Sequence, residues 1–483
     1  MNTISCREFD VIIIGAGING AGIARDAAMR GLKVLLLDKA DIASGTSSAS
    51  TRLIHGGLRY LEYFEFGLVR ESLREREILL RIAPHLVRPL PITIPIYKQS
   101  KRGPLTVRAG MIAYDLLSIG KSLPRHRMLS AAETLAQSPG LNPENLLGSA
   151  LYFDAQVEFA ERLVVENALD ARDRGAEVVT YAPVTKIIAE NGAVTGVEFV
   201  SEGETQVVRA SVVINAAGPW VDELLERAPV ETSRLIGGTK GSHIVVPAFP
   251  GASKNAIYLE AQSDGRPLFI IPWNGNYLIG TTDVRFEEDP DAVRSESWEI
   301  DYLLAETNCA FPGARLTREQ ILFTYSGVRP LPWTRNEDEK SITRRHFIRE
   351  HPKLKNLVSI VGGKLTTYRS LAEECVDLVF RRLGRQSPPC VTGKEVLPAA
   401  PVRDFAEAVV FSFEHELAKT LADCFLRRTM RGLSADLGFG DLDAAAEIGK
   451  TFLGWSDERA KREVENYSRR YADERRSHLR SSA

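Results

Sequence analysis

The first residues whose spacing could do chemistry are Gly15-Ala16-Gly17-Ile18-Asn19-Gly20, a Gly-x-Gly-x-x-Gly pattern. Gly15 allows a tight turn, Gly17 lets backbone approach a diphosphate at a helix N-terminus, and Gly20 lets that helix pack closely on a sheet. Asp38 follows at the distance expected of an acid that accepts hydrogen bonds from ribose hydroxyls, where a 2′-phosphate would be repelled. This is a dinucleotide site, and the motif alone does not separate NAD from FAD. Two later junctions bear on that choice. Val212 to Trp220 is an apolar run ending in Ala217-Gly218, small enough to pass under a flat cofactor. Leu357 to Val361 runs into Gly362-Gly363-Lys364-Leu365-Thr366-Thr367 and then a helical pattern, whose N-terminus could offer N–H groups and a positive dipole to a flavin's N1–C2=O edge.

The elements that must position these residues are legible nearby. Phe9 to Ile14 and Val34 to Leu37 read as buried parallel strands flanking a helix that Gly31 ends, a β-α-β unit. Helical periodicity covers Tyr63 to Arg81 and Gln156 to Arg174, with Gly175 closing the second before a strand at Glu177 to Thr180. Asn191-Gly192 and Asn274-Gly275-Asn276 separate pairs of apolar runs and predict hairpins. Beyond the prolines at 388–389 and 398–401, Phe405, Val409, Phe413, Leu417, Leu421 and Phe425 recur every four residues, predicting a small helical C-terminal domain.

Composition narrows the class. The 483 residues are 44% hydrophobic and 26% charged, which supports sizeable cores and excludes disorder, collagen and a small disulfide scaffold. A net charge of −2 gives no global attraction to nucleic acid. Cys6, Cys309, Cys375, Cys390 and Cys424 are odd in number and never form Cys-x-x-Cys, which predicts reduced thiols in a cytosolic compartment and no metal held by cysteine pairs. No signal peptide, apolar membrane span or Ca²⁺-binding loop is visible.

Six blocks, in order, carry a resemblance: Thr46 to Ser50 with His55 to Glu62, Lys240 to Pro247, Ile279 to Asp283, Thr324 to Leu331, and Gly362 to Arg369, following the glycine motif. In these, from about Phe9 to about Pro398, the sequence resembles the FAD-dependent, aerobic-type glycerol-3-phosphate dehydrogenases of the D-amino-acid-oxidase-like superfamily. The resemblance implies an α/β fold in which a Rossmann-like FAD-binding domain (1–80, 150–235 and 340–390) interleaves with an antiparallel-sheet substrate domain (81–149 and 236–339). A shortened helical C-terminal domain at 395–483 completes the expectation.

The implied activity is oxidation of sn-glycerol 3-phosphate to dihydroxyacetone phosphate, with hydride transfer to FAD and electrons passed to membrane quinone. A dianionic phosphate suits planar arginine forks and a lysine point charge. Arg59, Arg329 and Lys364 stand in the matching blocks, with Tyr60 beside them. Hydride loss from C2 also requires a base for the hydroxyl proton. His55, ahead of the bare backbone of Gly56-Gly57, is the first candidate, and His243 the second, with Asp283 as an orienting group. Ser47, Ser48 and Thr367 suit bonding to the cofactor. Between Lys98 and Arg127 seven basic residues oppose one acid, Asp115, interleaved with Leu105, Ile112 and Leu116, as a helix on an anionic lipid surface would need. The same residues fit a solvated loop over a core helix; the resemblance, whose electron acceptor is dissolved in lipid, implies a peripheral protein on the inner face of the cytoplasmic membrane, with a homodimer among the family's possibilities. An oxidase using O₂ and a flavoprotein sensor or scaffold without turnover are the alternatives.

Overall fold

The computed structural model describes residues 7–335, 342–469 and 475–476. Alternate residues of the strand Glu8–Ile14 feed two different hydrophobic clusters: Val11 and Ile13 face one way, Ile12 and Ile14 the other. Period-two side-chain alternation with both faces apolar forces this strand into the middle of a covered sheet. Its parallel neighbours are Val34–Leu37 on one side and Glu204–Asn215 on the other; Glu177–Val179 extends the first side and Leu354–Val361 the second. The helices Ile18–Met29, Ala160–Asp173 and Tyr368–Leu383 cover one face. An antiparallel meander, Val184–Glu190, Ala193–Ser201 and Glu204–Asn215, flanks the parallel strands, with its hairpin at Asn191-Gly192.

The second sheet is antiparallel except where Ala256–Glu260 runs parallel to Val87–Tyr97. Val87–Tyr97 pairs with Leu146–Val157, and that strand also holds the short Leu53–Ile54. At the other end Thr239–Val246 lies between Asn276–Gly280 and Phe323–Arg329. The Asn274-Gly275 turn joins Pro267–Trp273 to Asn276–Gly280 as expected.

Three elements differ from their sequence patterns. The helix expected from Gln156 begins at Ala160, because Gln156 and Val157 are still strand residues paired with Arg88 and Val87. The helix expected from Tyr63 begins at Phe66, after a 3₁₀ turn over Leu58–Tyr63. The four-residue repeat from Phe405 is two elements, since Phe405–Glu414 ends and Thr420 starts a new turn with a reciprocal Thr420–Asp423 cap. The C-terminal helices Phe439–Leu453 and Asp457–Tyr467 share one hydrophobic cluster with Phe323 and Trp273 of the antiparallel sheet.

Gly20 shows how tightly the first unit is packed. A Cβ there would lie 1.8 Å from the Gly15 carbonyl oxygen, with no flexible side chain to yield. Overpacking of this kind costs about 1–3 kcal/mol, so Gly20→Ala is expected to lower the thermal unfolding midpoint of the cofactor-free protein, measured by circular dichroism; an unchanged midpoint would contradict the packing described.

Candidate active site

Two neighbouring cavities form where the sheets meet. The larger, about 420 Å³, runs along the C-terminal ends of the parallel strands and is lined by Gly15, Gly17, Asn19, Asp38, Ser47, Ala217, Gly218, Gly362, Gly363, Lys364 and Leu365. This is where ligands bind in open α/β sheets. The Ile18 N–H is taken by the Ser47 hydroxyl at 3.0 Å. Asn19 and Gly20, the next residues of the helix, have no intrahelical acceptor for their N–H groups. Asp38 accepts from Ala16 N–H at 2.6 Å and Ala40 N–H at 2.8 Å, and burial pushes its carboxyl up to about 6. Each carboxylate oxygen retains a second lone pair for a hydroxyl.

The residues fit FAD on structural grounds. A Cβ on Gly15 would stand 2.5 Å from the Ala216 carbonyl, so the loop stays bare backbone. Among the described residues the buried Asn19 Oδ1 and Trp220 Nε1 have no hydrogen-bond partner, and both residues line the cavity. Other residues assigned to the cofactor act one step back. Gly20 serves packing, the Ser48 hydroxyl bonds the Gly45 carbonyl, and the Thr366 hydroxyl accepts the backbone N–H of His55 at 3.2 Å. Thr367 is buried at the start of the helix Tyr368–Leu383, and its carbonyl accepts from Ser370.

The smaller cavity, about 220 Å³, is lined by His55, Gly57, Arg59, Tyr60, Arg266, Thr281, Asp283, Arg329 and Arg344, among others. Four guanidinium groups thus surround one small volume, opposed by the carboxylates of Asp283 and Glu65 in its lining and by Asp264, which pairs with Arg266 at 3.0 Å. Asp283 bonds Arg329 Nη1 at 3.1 Å and Arg344 Nη2 at 2.9 Å. Burial works against its ionisation, but the two arginines outweigh it and hold the carboxyl below its usual range. Arg329 also donates to Thr281 Oγ1 at 3.0 Å and the Thr282 carbonyl at 3.2 Å. Gly241 leaves room for this, since a Cβ would lie 2.1 Å from Arg329 Nη2. Among the described residues the buried Arg344 Nη1 has no hydrogen-bond partner.

His55 follows the strand Leu53–Ile54 and packs edge-on against Phe269. Burial pulls its imidazole down to about 4, so the ring is neutral at working pH. Its position is fixed from behind. The Gly56 N–H donates to the Tyr114 hydroxyl, which bonds Asp154, whose carboxylate pairs with buried Arg76 at 2.7 Å. Gly57 has φ 76° and faces the Tyr60 ring, 2.2 Å from where a Cβ would be, so both backbone and space demand glycine. Lys364 stands at the seam of the two cavities. It lines the larger one, lies 4.5 Å over the Tyr60 ring and donates to Ser72, and burial pulls it down to about 7.

His243, the second candidate base, lies behind this wall. It is 1% exposed, stacked on Tyr325 at 4.8 Å and bonded through Nε2 to Thr51 Oγ1 at 2.9 Å. Strand pairing puts Tyr325 opposite it, and Gly280 makes room for its ring. Arg266 and Arg344 were absent from the sequence reading. Neither stands in a glycine-rich block, and only the fold brings Arg344, ahead of the edge strand Phe347–His351, against Asp283.

A covered parallel sheet with a cofactor cradle beside a small polar pocket defines a flavin-dependent oxidoreductase. The profile of the FAD dependent oxidoreductase family matches residues 10–377, and the chain belongs to that family. It is 45% identical to a glycerol-3-phosphate dehydrogenase of Synechocystis sp. over 96% of both chains. It is 36% identical to an aerobic glycerol-3-phosphate dehydrogenase of Staphylococcus aureus over 86% of this chain and 77% of that one. The crystal structure of glycerol-3-phosphate dehydrogenase from Bacillus halodurans, complexed with FAD, superposes with a TM-score of 0.79 at 29% identity, covering 99% and 97% of the two chains.

The excess of guanidinium over carboxylate predicts an anion response. Inorganic phosphate is expected to raise the melting temperature of the wild-type protein by mass action. Asp283→Asn, which leaves Arg329 and Arg344 unpaired, is expected to melt lower in phosphate-free buffer and to regain part of the loss when phosphate is added. A wild-type midpoint indifferent to phosphate would contradict the charge balance.

Proposed function

We propose that the protein oxidises sn-glycerol 3-phosphate to dihydroxyacetone phosphate, using FAD and passing the electrons to a membrane quinone. The observation that carries this reading is the small arginine-lined cavity opening beside the cofactor cradle. Its volume suits a three-carbon phosphate, and its charge suits a dianion. A carboxylate substrate would leave guanidinium groups in excess. The near relatives bear the corresponding name, which supports the substrate assignment.

Each residue then has a task. Arg329 and Arg344, splayed around Asp283, hold the phosphate, with Arg344 Nη1 as a donor ready for it. Arg59 adds charge at the rim, while Arg266, paired with Asp264, closes the wall. His55, neutral and desolvated, accepts the proton from the C2 hydroxyl oxygen as C2 loses hydride. FAD, when bound, supplies the two-electron acceptor for that hydride. Lys364 and Tyr60 bridge the two cavities and hold the substrate end toward the cofactor.

The test is anaerobic mixing with glycerol 3-phosphate while flavin absorbance is followed. Bleaching within the time of steady-state turnover supports the reading, and an unchanged oxidised spectrum would sink it. Arg329→Ala is expected to raise KM about tenfold or more, given ~1.5–3 kcal/mol per charge-assisted hydrogen bond. The pH profile follows from the two shifted groups. His55 is active only when deprotonated, so kcat/KM rises through the acid range. Lys364 helps only when protonated, so kcat/KM falls as pH climbs past its transition, which bound anions move upward from about 7. Lys364→Met should abolish the alkaline limb while keeping the acid one.

The membrane surface is part of the proposal. Among the described residues no helix is long and apolar enough to cross a bilayer. The helix Pro104–Leu117 and the turn after it expose Leu105 (82%), Leu116 (62%) and Ile119 (83%), and Phe64 nearby is 78% exposed. Two of the seven cations are neutralised within the fold: Arg102 by Glu62 and Glu260, and Lys121 by Asp115. Lys98, Lys101, Arg108, Arg125 and Arg127 remain for lipid. Flotation with vesicles containing anionic lipid is expected to carry the wild-type protein and to lose it with Leu105→Glu/Leu116→Glu or in high salt. Equal recovery of both proteins would count against docking through this helix.

A further inference from the structure

The C-terminal helical region, where the sequence is least informative, reaches the cofactor cavity at one point. Of the described residues beyond Leu365, Arg427 alone lines it. Arg427 lies in a π-helical turn, Cys424–Arg428, an irregularity often found at functional sites. Successive residues of a regular α-helix point about 100° apart, yet here Arg427 and Arg428 converge on one carboxylate. Arg428 grips Asp41 with both terminal nitrogens, each at 2.8 Å, and Arg427 Nε reaches Asp41 Oδ2 at 2.5 Å. Asp41 is 1% exposed. Asp423 holds Arg427 from the other side at 2.6 Å and also accepts from the Tyr181 hydroxyl.

Asp41 sits midway in the segment from Asp38 to Ser47, both ends of which line the cavity. The same segment touches the glycine loop directly: Ala43 N–H donates to the Ala16 carbonyl, and Ser47 accepts from Ile18 N–H. The anchored carboxylate and the guanidinium on the cavity wall are therefore beside the place where the glycine motif brings a diphosphate.

We propose that the C-terminal region completes the cofactor site: Arg427 offers its guanidinium to the FAD diphosphate, and Arg427 with Arg428, through Asp41, fixes the segment that runs along it. The region thereby controls cofactor retention. This goes beyond the substrate assignment and stands or falls independently of it. Asp41 and Asp423 hold the Arg427 guanidinium in place on the cavity wall, so its contribution to the diphosphate is a positioned donor rather than net charge.

The test is titration of cofactor-free protein with FAD and, separately, with riboflavin, which has the flavin but no phosphate, following the quenching of flavin fluorescence. Arg427→Gln is expected to weaken FAD at least tenfold and leave riboflavin binding unchanged. Arg427→Lys, which keeps the charge but not the fork, should fall between the two. Equal weakening of both ligands would show a merely structural arginine and overturn the proposal, as would wild-type affinity for FAD. Should Arg427→Gln not fold, Asp41→Asn keeps the side-chain volume and loosens the clamp. It is expected to weaken FAD severalfold, and wild-type FAD affinity in Asp41→Asn would equally overturn the inference.

Discussion

Asp283 holding two arginines at once is the constraint on which the rest of the site depends. Guanidinium groups cannot be taken out of water without compensation, and a buried charge stripped of its partner costs several kcal/mol. One carboxylate shared between Arg329 and Arg344 makes them tolerable without neutralising them. Among the described residues Arg344 Nη1 is left without a hydrogen-bond partner, the donor that the proposed phosphate would take. Much of the surrounding geometry follows from that arrangement: Gly241 bare to admit one fork, Thr281 placed to take an N–H, and the His55 imidazole kept neutral by the same desolvation that strengthens the charges.

Both sheets are needed to assemble it. The antiparallel sheet brings Arg329 and Asp283 together across the end of the strand Thr239–Val246, which pairs with Phe323–Arg329 on one side and Val284–Arg285 on the other, and the parallel sheet supplies Lys364 and, ahead of its edge strand, Arg344. The same seam couples the site to the proposed lipid face. Tyr114, on the inner side of the helix Pro104–Leu117, bonds Gly56 while the helix's outer side carries Leu105 and Leu116. One helix thus carries both a residue that braces the backbone beside His55 and the proposed lipid contact.

What could be read from the chain alone was the part set by local rules. The glycine loop, Asp38 and the Asn-Gly hairpins depend on φ values and short spacings, which sequence records directly. His55, Arg59 and Arg329 could be nominated from the chain because they stand in long matching blocks, and all three line the small cavity. Arg344 and Arg427 do not stand out in this way, since nothing adjacent to them in sequence differs from a surface arginine; strand order and a carboxylate far away in the chain bring them to the cavities. His243 illustrates the converse. Its position ahead of Ile244 to Val246 gave it the look of a base, yet strand register stacks it on Tyr325 behind the cavity wall. The near-neutral net charge likewise hid a division of charge that appears only once Arg102 and Lys121 are seen paired with their own carboxylates while Arg329 and Arg344 share one.

Recognition of a phosphate dianion by the arginine cavity is what we propose drives the reaction. Its most direct measurement is the second-order rate constant for anaerobic flavin reduction by glycerol 3-phosphate compared with glycerol, which keeps the reacting carbon and lacks the phosphate. With two charge-assisted contacts at ~1.5–3 kcal/mol each, the account predicts a preference of about 10²-fold to 10⁴-fold for the phosphate ester. Rate constants within a few-fold of each other would contradict it.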